Sequence, residues 1–260
     1  MNWLQALILG IIQGLTEFLP VSSSGHLELG NVLLGIDTSA NLTFAVVVHG
    51  ATVLSTIIVL WQEIRKIFVE SIEFKWNDST RYVFKIIISM IPVAIIGVFF
   101  ESQVEQFFTG NPVFVGSMLL VTASLLLFSH FSRSKEKSIS FKDSFLIGIA
   151  QAFAVLPGIS RSGATIATGL ILKNKREEVA KFSFLMVLIP IIGANVKDLL
   201  GGSMGASGDI QPFVLLVGFL AAFLSGLFAC KWMIKLVKQG KLIYFAVYCF
   251  IIGMLAIVLA

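Results

Sequence analysis

The sequence predicts an all-α polytopic membrane protein with six transmembrane helices and two re-entrant helical hairpins in an inverted-topology repeat. Three observations lead to this prediction. The chain of 260 residues is 57% hydrophobic and only 13% charged, whereas soluble domains carry roughly 25% charged residues. Its basic residues are confined to a few segments between apolar runs. Two apolar runs are broken by proline, glycine and serine. We expect one membrane domain over residues 1–260.

The first hairpin is predicted over residues 3–36. Residues 3–18 are apolar and would form a helix of about 24 Å, shorter than the ~30 Å hydrocarbon core of a bilayer. Pro20 and the run Ser22–Gly25 then break the helix, and a second short helix is expected over 26–36. Two short helices with a polar break favour a hairpin over a membrane span.

The placement of charge predicts the topology of the remaining chain. Six apolar segments are predicted to span the membrane: 43–60, 84–100, 113–130, 182–199, 212–230 and 242–259. Of the 19 Lys and Arg residues, 17 lie in the polar loop 61–85 and in three segments that follow residues 130, 172 and 230. The positive-inside rule assigns these four segments to the cytoplasm. The first hairpin would then enter from the outer face, and the second from the cytoplasmic face.

The second hairpin, predicted over 143–172, resembles the first in sequence. At an offset of 138 residues, five positions are identical: Gly10 and Gly148, Gln13 and Gln151, Ser22 and Ser160, Ser24 and Ser162, Gly25 and Gly163. Similar broken helices in opposite orientation are typical of inverted-topology repeats, with a site where the broken ends meet. We therefore expect one repeat over about 1–130 and another over about 140–260, with Gly10 and Gly14 in a small-residue seam.

Three ionisable residues mark the two breaks as functional. Glu17, His26 and Arg161 lie in apolar surroundings, and an ionisable side chain at membrane depth costs at least ~2.5–3.5 kcal/mol. Each second helix begins after a serine run, where free N–H groups and the helix dipole favour an anion. Hydroxyls at these positions add donors: Ser22, Ser23, Ser24, Ser160, Ser162 and Thr165. With the planar guanidinium of Arg161, they favour phosphate as the ligand.

Glu17 and His26 point beyond binding to a reaction. A carboxylate beside an anion must hold a cation, take a proton or activate a nucleophile. A divalent ion such as Mg²⁺ would bridge Glu17 and phosphate oxygens. A serine near a histidine, with a carboxylate alongside, is the general pattern of an activated nucleophile. His49 is a lone histidine on an apolar helix, for which a hydrogen bond within the bundle is the simpler interpretation.

Two motifs carry a resemblance to a known family. They run from Gln13 to His26, with Glu17-Phe-Leu-Pro-Val-Ser-Ser-Ser-Gly-His26 at the end, and from Pro157 to Thr165, as Pro-Gly-Ile-Ser-Arg-Ser-Gly-Ala-Thr. The chain resembles the undecaprenyl-diphosphate phosphatases of the bacitracin-resistance type. That resemblance implies removal of the terminal phosphate from the C55 isoprenoid diphosphate, which returns the lipid carrier to cell-wall synthesis.

The resemblance also implies roles for individual residues. Ser23 becomes the favoured nucleophile, Glu17 a metal ligand or base, and His26 the acid/base partner. Arg161 would clamp the phosphates beside Ser160, Ser162 and Thr165. The family has Glu or Gln at the place of Gln13, which here offers an amide oxygen to a metal site. Whether serine, histidine or water attacks the phosphorus stays open at this point.

The expected partners follow from the same reading. They are a polyprenyl diphosphate, membrane lipid, and a divalent cation, Mg²⁺ or Ca²⁺; nucleic acid is not expected, and a homodimer is left open. The expected location is the bacterial cytoplasmic membrane, as a multi-pass protein whose active site opens toward the outer face. The rival hypothesis is a lipid-phosphate flippase or anion transporter, because transporters also use inverted repeats and buried anion sites. A carrier would need Arg161 and the serines, but hardly Glu17, Ser23 and His26 together.

Overall fold

The computed structural model describes residues 1–36, 42–73, 75–108, 111–132, 137–200 and 210–260. These residues form twelve helices: α1 Trp3–Phe18, α2 Ser23–Leu33, α3 Leu42–Val59, α4 Trp61–Ile72, α5 Asp78–Phe99, α6 Glu101–Glu105, α7 Pro112–Phe131, α8 Phe141–Phe153, α9 Arg161–Ile171, α10 Arg176–Leu200, α11 Pro212–Lys238 and α12 Ile243–Val258. Within these ranges no strand forms, and one isolated bridge joins Lys137 to Asn174. The prediction of an all-α protein is confirmed.

Several of these helices can cross a membrane. Within the described ranges, α5, α7, α10 (as Arg176–Lys197) and α11 are long and apolar enough, and α3 with α4 makes a fifth candidate whose axis bends by 74°. Helices α1 and α12 are apolar but have 16 residues each, about 24 Å at 1.5 Å per residue. The protein is therefore a multi-pass membrane protein with four or five such helices.

The prediction that 61–85 is a loop was wrong. It contains α4, and α5 begins at Asp78, six residues before the predicted start of that span. Asn77 begins α5 by accepting a hydrogen bond from the Thr80 N–H, and its own side chain donates to the carbonyl of Glu70 at the end of α4. The charged residues of this segment suggested a loop because a helix with no fully buried residue leaves little apolar signal in the sequence.

Other predicted boundaries moved by a few residues. Helix α2 begins at Ser23 rather than 26, because Ser22 caps it. Helix α11 continues to Lys238, two turns beyond the predicted end of its span, since long basic side chains can extend from an apolar helix to water. Most of the predicted loop 200–211 lies outside the described residues.

Glycines allow the closest helix contacts, and these contacts come in pairs. A Cβ on Gly10 of α1 would lie 2.5 Å from the Gly218 carbonyl oxygen of α11, and one on Gly148 of α8 would lie 2.3 Å from the Ser89 oxygen of α5. The predicted Gly10–Gly14 seam is confirmed in this way, because Gly14 also leaves no room for a Cβ against α11. Each hairpin is thereby held against one long helix.

A third close contact joins α7 and α12. A Cβ on Gly116 would lie 2.6 Å from the carbonyl oxygen of Gly253, and one on Gly253 would lie 2.8 Å from the carbonyl oxygen of Gly116. Apolar residues from many helices fill the interior between the two hairpins, among them Phe18, Leu119, Ile166, Phe182, Met186 and Met233. Large apolar side chains also cover the outside, as lipid contact requires, for example Phe128, Leu224 and Phe228.

The basic segments gather at one end of the bundle. Lys181 of α10 pairs with Glu63 of α4 at 2.9 Å, and Lys238 of α11 pairs with Glu177 of α10 at 2.8 Å. The bridge between Lys137 and Asn174 ties the second and third basic segments together. Segments that are remote in sequence thus share one end of the structure.

Candidate active site

The two broken stretches meet inside the protein. A Cβ on Gly25 would lie 3.2 Å from Gly158 Cα, and one on Gly163 would lie 3.2 Å from Pro20 Cβ. The hydroxyl of Ser162 donates to the carbonyl oxygen of Leu19 at 3.1 Å. The break of each hairpin therefore packs against the N-terminal turn of the other hairpin's second helix. The prediction that the two stretches come together is confirmed by these contacts.

Each second helix begins with the same serine cap. The Ser22 hydroxyl accepts from the Gly25 N–H at 3.3 Å, and the Ser160 hydroxyl accepts from the Gly163 N–H at 3.0 Å. Each cap also lies near the hydroxyl two residues on, at 3.4 Å for Ser22 and Ser24 and 3.3 Å for Ser160 and Ser162. The capping serines hold the N-termini of α2 and α9 in place, so that the dipoles of both helices favour an anion between them.

A small cavity lies at this junction. Its walls come from both hairpins and are mostly polar: Thr16, Glu17, Ser22, Ser23, Ser24, Ala154, Ile159, Ser160, Arg161 and Ser162. Eight of the ten residues predicted for the site either line it or, in the case of Gln13, contact a residue that does. Thr165 is placed behind the wall, where its hydroxyl donates to the Arg161 carbonyl oxygen at 2.8 Å. His26 has other partners.

Glu17 is the centre of the hydrogen bonds in this cavity. One carboxylate oxygen, Oε2, accepts from the Ser23 hydroxyl at 2.8 Å and from the amide nitrogen of Gln13 at 2.9 Å. The Nε2 atom of His49 lies 3.8 Å from the same oxygen. Since all three contacts reach Oε2, the second oxygen, Oε1, remains for another ligand. A serine hydroxyl that already donates to a carboxylate has its proton acceptor in place.

His26 does not contact Ser23 among the contacts that the structure describes. Its Nδ1 lies 2.8 Å from the carbonyl oxygen of Ser22, and its Nε2 lies 2.9 Å from the hydroxyl of Tyr248 on α12. The predicted pairing of His26 with Ser23 therefore lacks a hydrogen bond in this structure. Tyr248 was not recognised in the sequence, because nothing in the spacing of a C-terminal apolar helix indicates contact with the first hairpin.

A larger cavity of about 350 Å³ adjoins Arg161 on another side. Its polar wall residues are His49, Gln151, Arg161 and Asn195, and the others are apolar. His49 was set aside in the sequence as a residue bonded within the bundle. Its Nδ1 does bond to the Ala45 carbonyl at 2.8 Å, but its Nε2 faces Glu17. Gln151 could have been suspected as the counterpart of Gln13; no sequence signal singled out His49.

A metal site can be tested against these residues. Within the described ranges no group of three or more His, Cys, Asp and Glu side chains could hold an ion. The Oε1 atom of Gln13 is buried and has no hydrogen-bond partner, while Glu17 is four residues further along the same helix. Mg²⁺ usually binds one or two carboxylates together with substrate phosphates and water. One carboxylate and one unpaired amide oxygen beside a phosphate-binding cavity fit that requirement.

Comparison with known proteins gives a consistent result over the full chain. Residues 6–255 match the family of the bacitracin resistance protein BacA. An undecaprenyl-diphosphatase from Parabacteroides distasonis is 56% identical over 260 residues, which cover 99% of this chain and 98% of the relative. One from Bacteroides fragilis is 56% identical over 263 residues, with 100% and 99% covered. One from Methanobrevibacter smithii is 42% identical, with 98% and 96% covered.

Proposed function

This chain belongs to the BacA family of bacitracin resistance proteins, and we propose that the cavity between its two hairpins is the active site of an undecaprenyl-diphosphatase. The protein hydrolyses undecaprenyl diphosphate to undecaprenyl phosphate and inorganic phosphate. It thereby recycles the lipid carrier for cell-wall synthesis and confers resistance to bacitracin. The observation that carries the assignment to this cavity is the Ser23–Glu17 hydrogen bond on a wall shared with Arg161.

The chemistry begins with Ser23. Its Oγ attacks the terminal phosphorus while its proton passes to Glu17 Oε2, the atom that it already contacts at 2.8 Å. A bond from Oγ to phosphorus forms and the bond from phosphorus to the bridging oxygen breaks, so undecaprenyl phosphate leaves with the electron pair. Water then attacks the phosphoserine, which releases inorganic phosphate and restores the hydroxyl. The contact between Ser23 and Glu17 supports serine over direct attack by water on the first step.

Arg161 and the two helix N-termini stabilise the charge of the transferred group. Arg161 is the first residue of α9 and lines the cavity with Ser160 and Ser162. Its planar guanidinium can donate two parallel hydrogen bonds to a phosphate. Donors fixed in advance in a site without bulk water are the usual means of stabilising charge that develops in such a transfer. Ser22 and Ser24 supply further hydroxyls from the other hairpin.

A divalent cation fits the same cavity. Glu17 and the unpaired Oε1 of Gln13 would hold Mg²⁺ or Ca²⁺. When bound, the ion would neutralise phosphate charge and help the leaving oxygen depart. The resemblance is the reason to expect the ion, and the donor set of this chain is compatible with it.

We also propose that the fold is an inverted-topology repeat with six spans and two re-entrant hairpins. The supporting contacts exchange partners at an offset near 138: Gly25 approaches Gly158 as Gly163 approaches Pro20. Gly116 and Gly253, 137 apart, approach each other's carbonyl oxygens. Each hairpin packs on one long helix of the opposite half, α1 on α11 and α8 on α5. The repeats would be residues 1–130 and 140–260, with α3 and the short α12 as the fifth and sixth spans.

The orientation in the membrane follows from the charged segments. They gather at one end, through pairs such as Lys181 with Glu63 and Lys238 with Glu177, and the positive-inside rule assigns that end to the cytoplasm. The opposite end carries Lys197 of α10, which pairs with Glu101. The protein would lie in the bacterial cytoplasmic membrane with the site opening toward the outer face, among lipid and without nucleic acid, as a monomer or a homodimer. The relatives' names favour hydrolysis over a flippase or transporter.

The test is phosphate release from a C55 or C15 prenyl diphosphate by the purified protein in detergent. Wild type should release phosphate in the presence of Mg²⁺ or Ca²⁺, and EDTA should suppress the release. Ser23→Ala and Arg161→Ala should each abolish it in protein that still elutes as a folded species. Ser117→Ala, at an exposed position of α7, is the matched control and should retain activity. Release that survives Ser23→Ala would transfer the nucleophile to water.

A further inference from the structure

Both ring nitrogens of His26 are already engaged. Nδ1 lies 2.8 Å from the Ser22 carbonyl oxygen, and Nε2 lies 2.9 Å from the Tyr248 hydroxyl, whose ring stacks on the imidazole at 5.6 Å with 14° between the planes. A carbonyl oxygen can only accept, so Nδ1 must carry a hydrogen. In a neutral imidazole Nε2 is then an acceptor, and the Tyr248 hydroxyl donates to it. The contacts therefore define one tautomer and one ring orientation.

The residue that His26 holds has an unusual backbone. Ser22 has φ 72°, one of two positive values among the non-glycine residues that the structure describes. Residues other than glycine rarely adopt such angles unless their surroundings impose them. The Ser22 carbonyl accepts from both the backbone N–H of His26, at 3.1 Å, and its side chain. Two donors from one residue thus fix the peptide group that joins Ser22 to Ser23.

The second hairpin provides an internal comparison. Ser160 caps α9 as Ser22 caps α2, yet its φ is −72°. The position that corresponds to His26 is Ala164, which donates its backbone N–H alone to the Ser160 carbonyl. A serine cap therefore forms without any histidine. The histidine goes with the turned backbone of Ser22, which presents the hydroxyl of Ser23 to Glu17.

Helix α12 supports this turn at two consecutive residues. Tyr248 reaches His26, and the thiol of Cys249 lies 3.5 Å from the carbonyl oxygen of Pro20. Cys249 is fully buried, so this part of α12 is anchored in the core. Tyr248 is thereby attached to a rigid element on one side and to the catalytic turn on the other.

We propose that Tyr248 is a positioning residue of the active site. It holds His26, which holds the Ser22 carbonyl, which in turn sets the Ser23 hydroxyl on Glu17. The role of His26 is then to donate a hydrogen bond through Nδ1, and not to carry the proton of Ser23. This inference rests on the proposed function, since it assigns roles within the same site.

Tyr248→Phe is the first test, because it keeps the stacked ring and removes the hydroxyl. We expect kcat for phosphate release to fall about tenfold with KM unchanged, the factor that corresponds to one hydrogen bond felt in the transition state. Tyr244→Phe, one turn earlier on the same helix and exposed, is the matched control and should stay within about twofold of wild type. Thermal unfolding of both variants shows whether the folded state persists.

His26→Asn separates the two roles of the histidine. Its amide can replace the Nδ1–H donor but cannot carry a proton at these pH values. We expect His26→Asn to be about tenfold more active than His26→Ala, and Tyr248→Phe to have no further effect in the His26→Asn background. Equal loss in His26→Asn and His26→Ala, with Tyr248→Phe as active as wild type, would overturn the proposal and restore His26 as the acid/base.

A spectroscopic readout does not depend on turnover. In protein labelled with ¹⁵N-histidine, the His26 resonances, identified by their loss in His26→Asn, should show a protonated Nδ1 and a hydrogen-bonded Nε2. Tyr248→Phe should shift Nε2 toward the value of a free imidazole nitrogen. A protonated Nε2 with a bare Nδ1 would contradict the inference. An inactive wild type with the expected spectrum would instead contradict the proposed function.

Discussion

Substituting Gln13 by glutamate tests the metal site most directly. The Gln13 amide nitrogen donates to Glu17 Oε2 at 2.9 Å, so Gln13→Glu would bring two carboxylates to about that separation. Two like charges at 2.9 Å repel by about 6 kcal/mol at an effective dielectric constant of about 20. Without a cation, one carboxyl must take a proton or the side chains must separate. With a divalent cation between them, the additional charge becomes a ligand.

Two measurements follow from this calculation. The concentration of Mg²⁺ that half-activates phosphate release should fall at least tenfold in Gln13→Glu, since a tenfold change requires only about 1.4 kcal/mol of the repulsion. The melting temperature in EDTA should fall below that of wild type, and added Mg²⁺ should raise it by more than it raises wild type, because binding to the folded state alone stabilises that state.

The second repeat supplies the control. Gln151 is equally buried, and its Oε1 also has no hydrogen-bond partner, but Val155 stands four residues on where the first repeat has Glu17. Gln151→Glu should therefore destabilise the protein without any gain in metal affinity. If Gln13→Glu and Gln151→Glu respond to Mg²⁺ in the same way, Gln13 and Glu17 do not form a metal site.

Three further outcomes are expected. Gly148→Ala should destabilise the protein by about 1–3 kcal/mol, because its Cβ would lie 2.3 Å from the Ser89 oxygen; Gly97→Ala, with open space around it, should not. His49→Leu should lower kcat about tenfold through loss of the contact near Glu17, with His130→Leu as an exposed control. Burial raises the pKa of Asp143, but hydrogen bonds from Ser140 and Lys137 more than offset this and lower the pKa; the stability that they give is present above about pH 4 and lost as pH falls further, which unfolding midpoints of wild type and Asp143→Asn would show.

The fold could be predicted from the sequence as far as local signals reach. Apolar runs and serine caps located most helices within a few residues, and Pro20 and Pro157 marked the breaks. Helix α4 was missed because its charged side chains match both a loop and an exposed helix. The small-residue seam of α1 could be predicted from Gly10 and Gly14, but its partner, α11, lies some 200 residues away, and no local pattern specifies it.

The site could be predicted for the same reason, in part. Ionisable residues in apolar runs are rare enough that Glu17 and Arg161 stood out without any structure. The contacts of His26 could not be derived, because a spacing of three residues from Ser23 does not say which way the ring turns. His49 and Tyr248 each look like one polar residue among apolar neighbours, and only their tertiary contacts with Glu17 and His26 distinguish them.

The offset of 138 residues has a consequence for how the charges of the site are shared. Ser23 corresponds to Arg161, His26 to Ala164, and Glu17 to Val155, so one half carries the acid and the other half carries the base. Two copies of the first half, joined in the same way, would oppose two carboxylates with no guanidinium between them. Two copies of the second would oppose two guanidinium groups with nothing to attack a phosphorus atom. A gene duplication could supply the shape of this pocket, but its chemistry required the duplicates to become unlike each other.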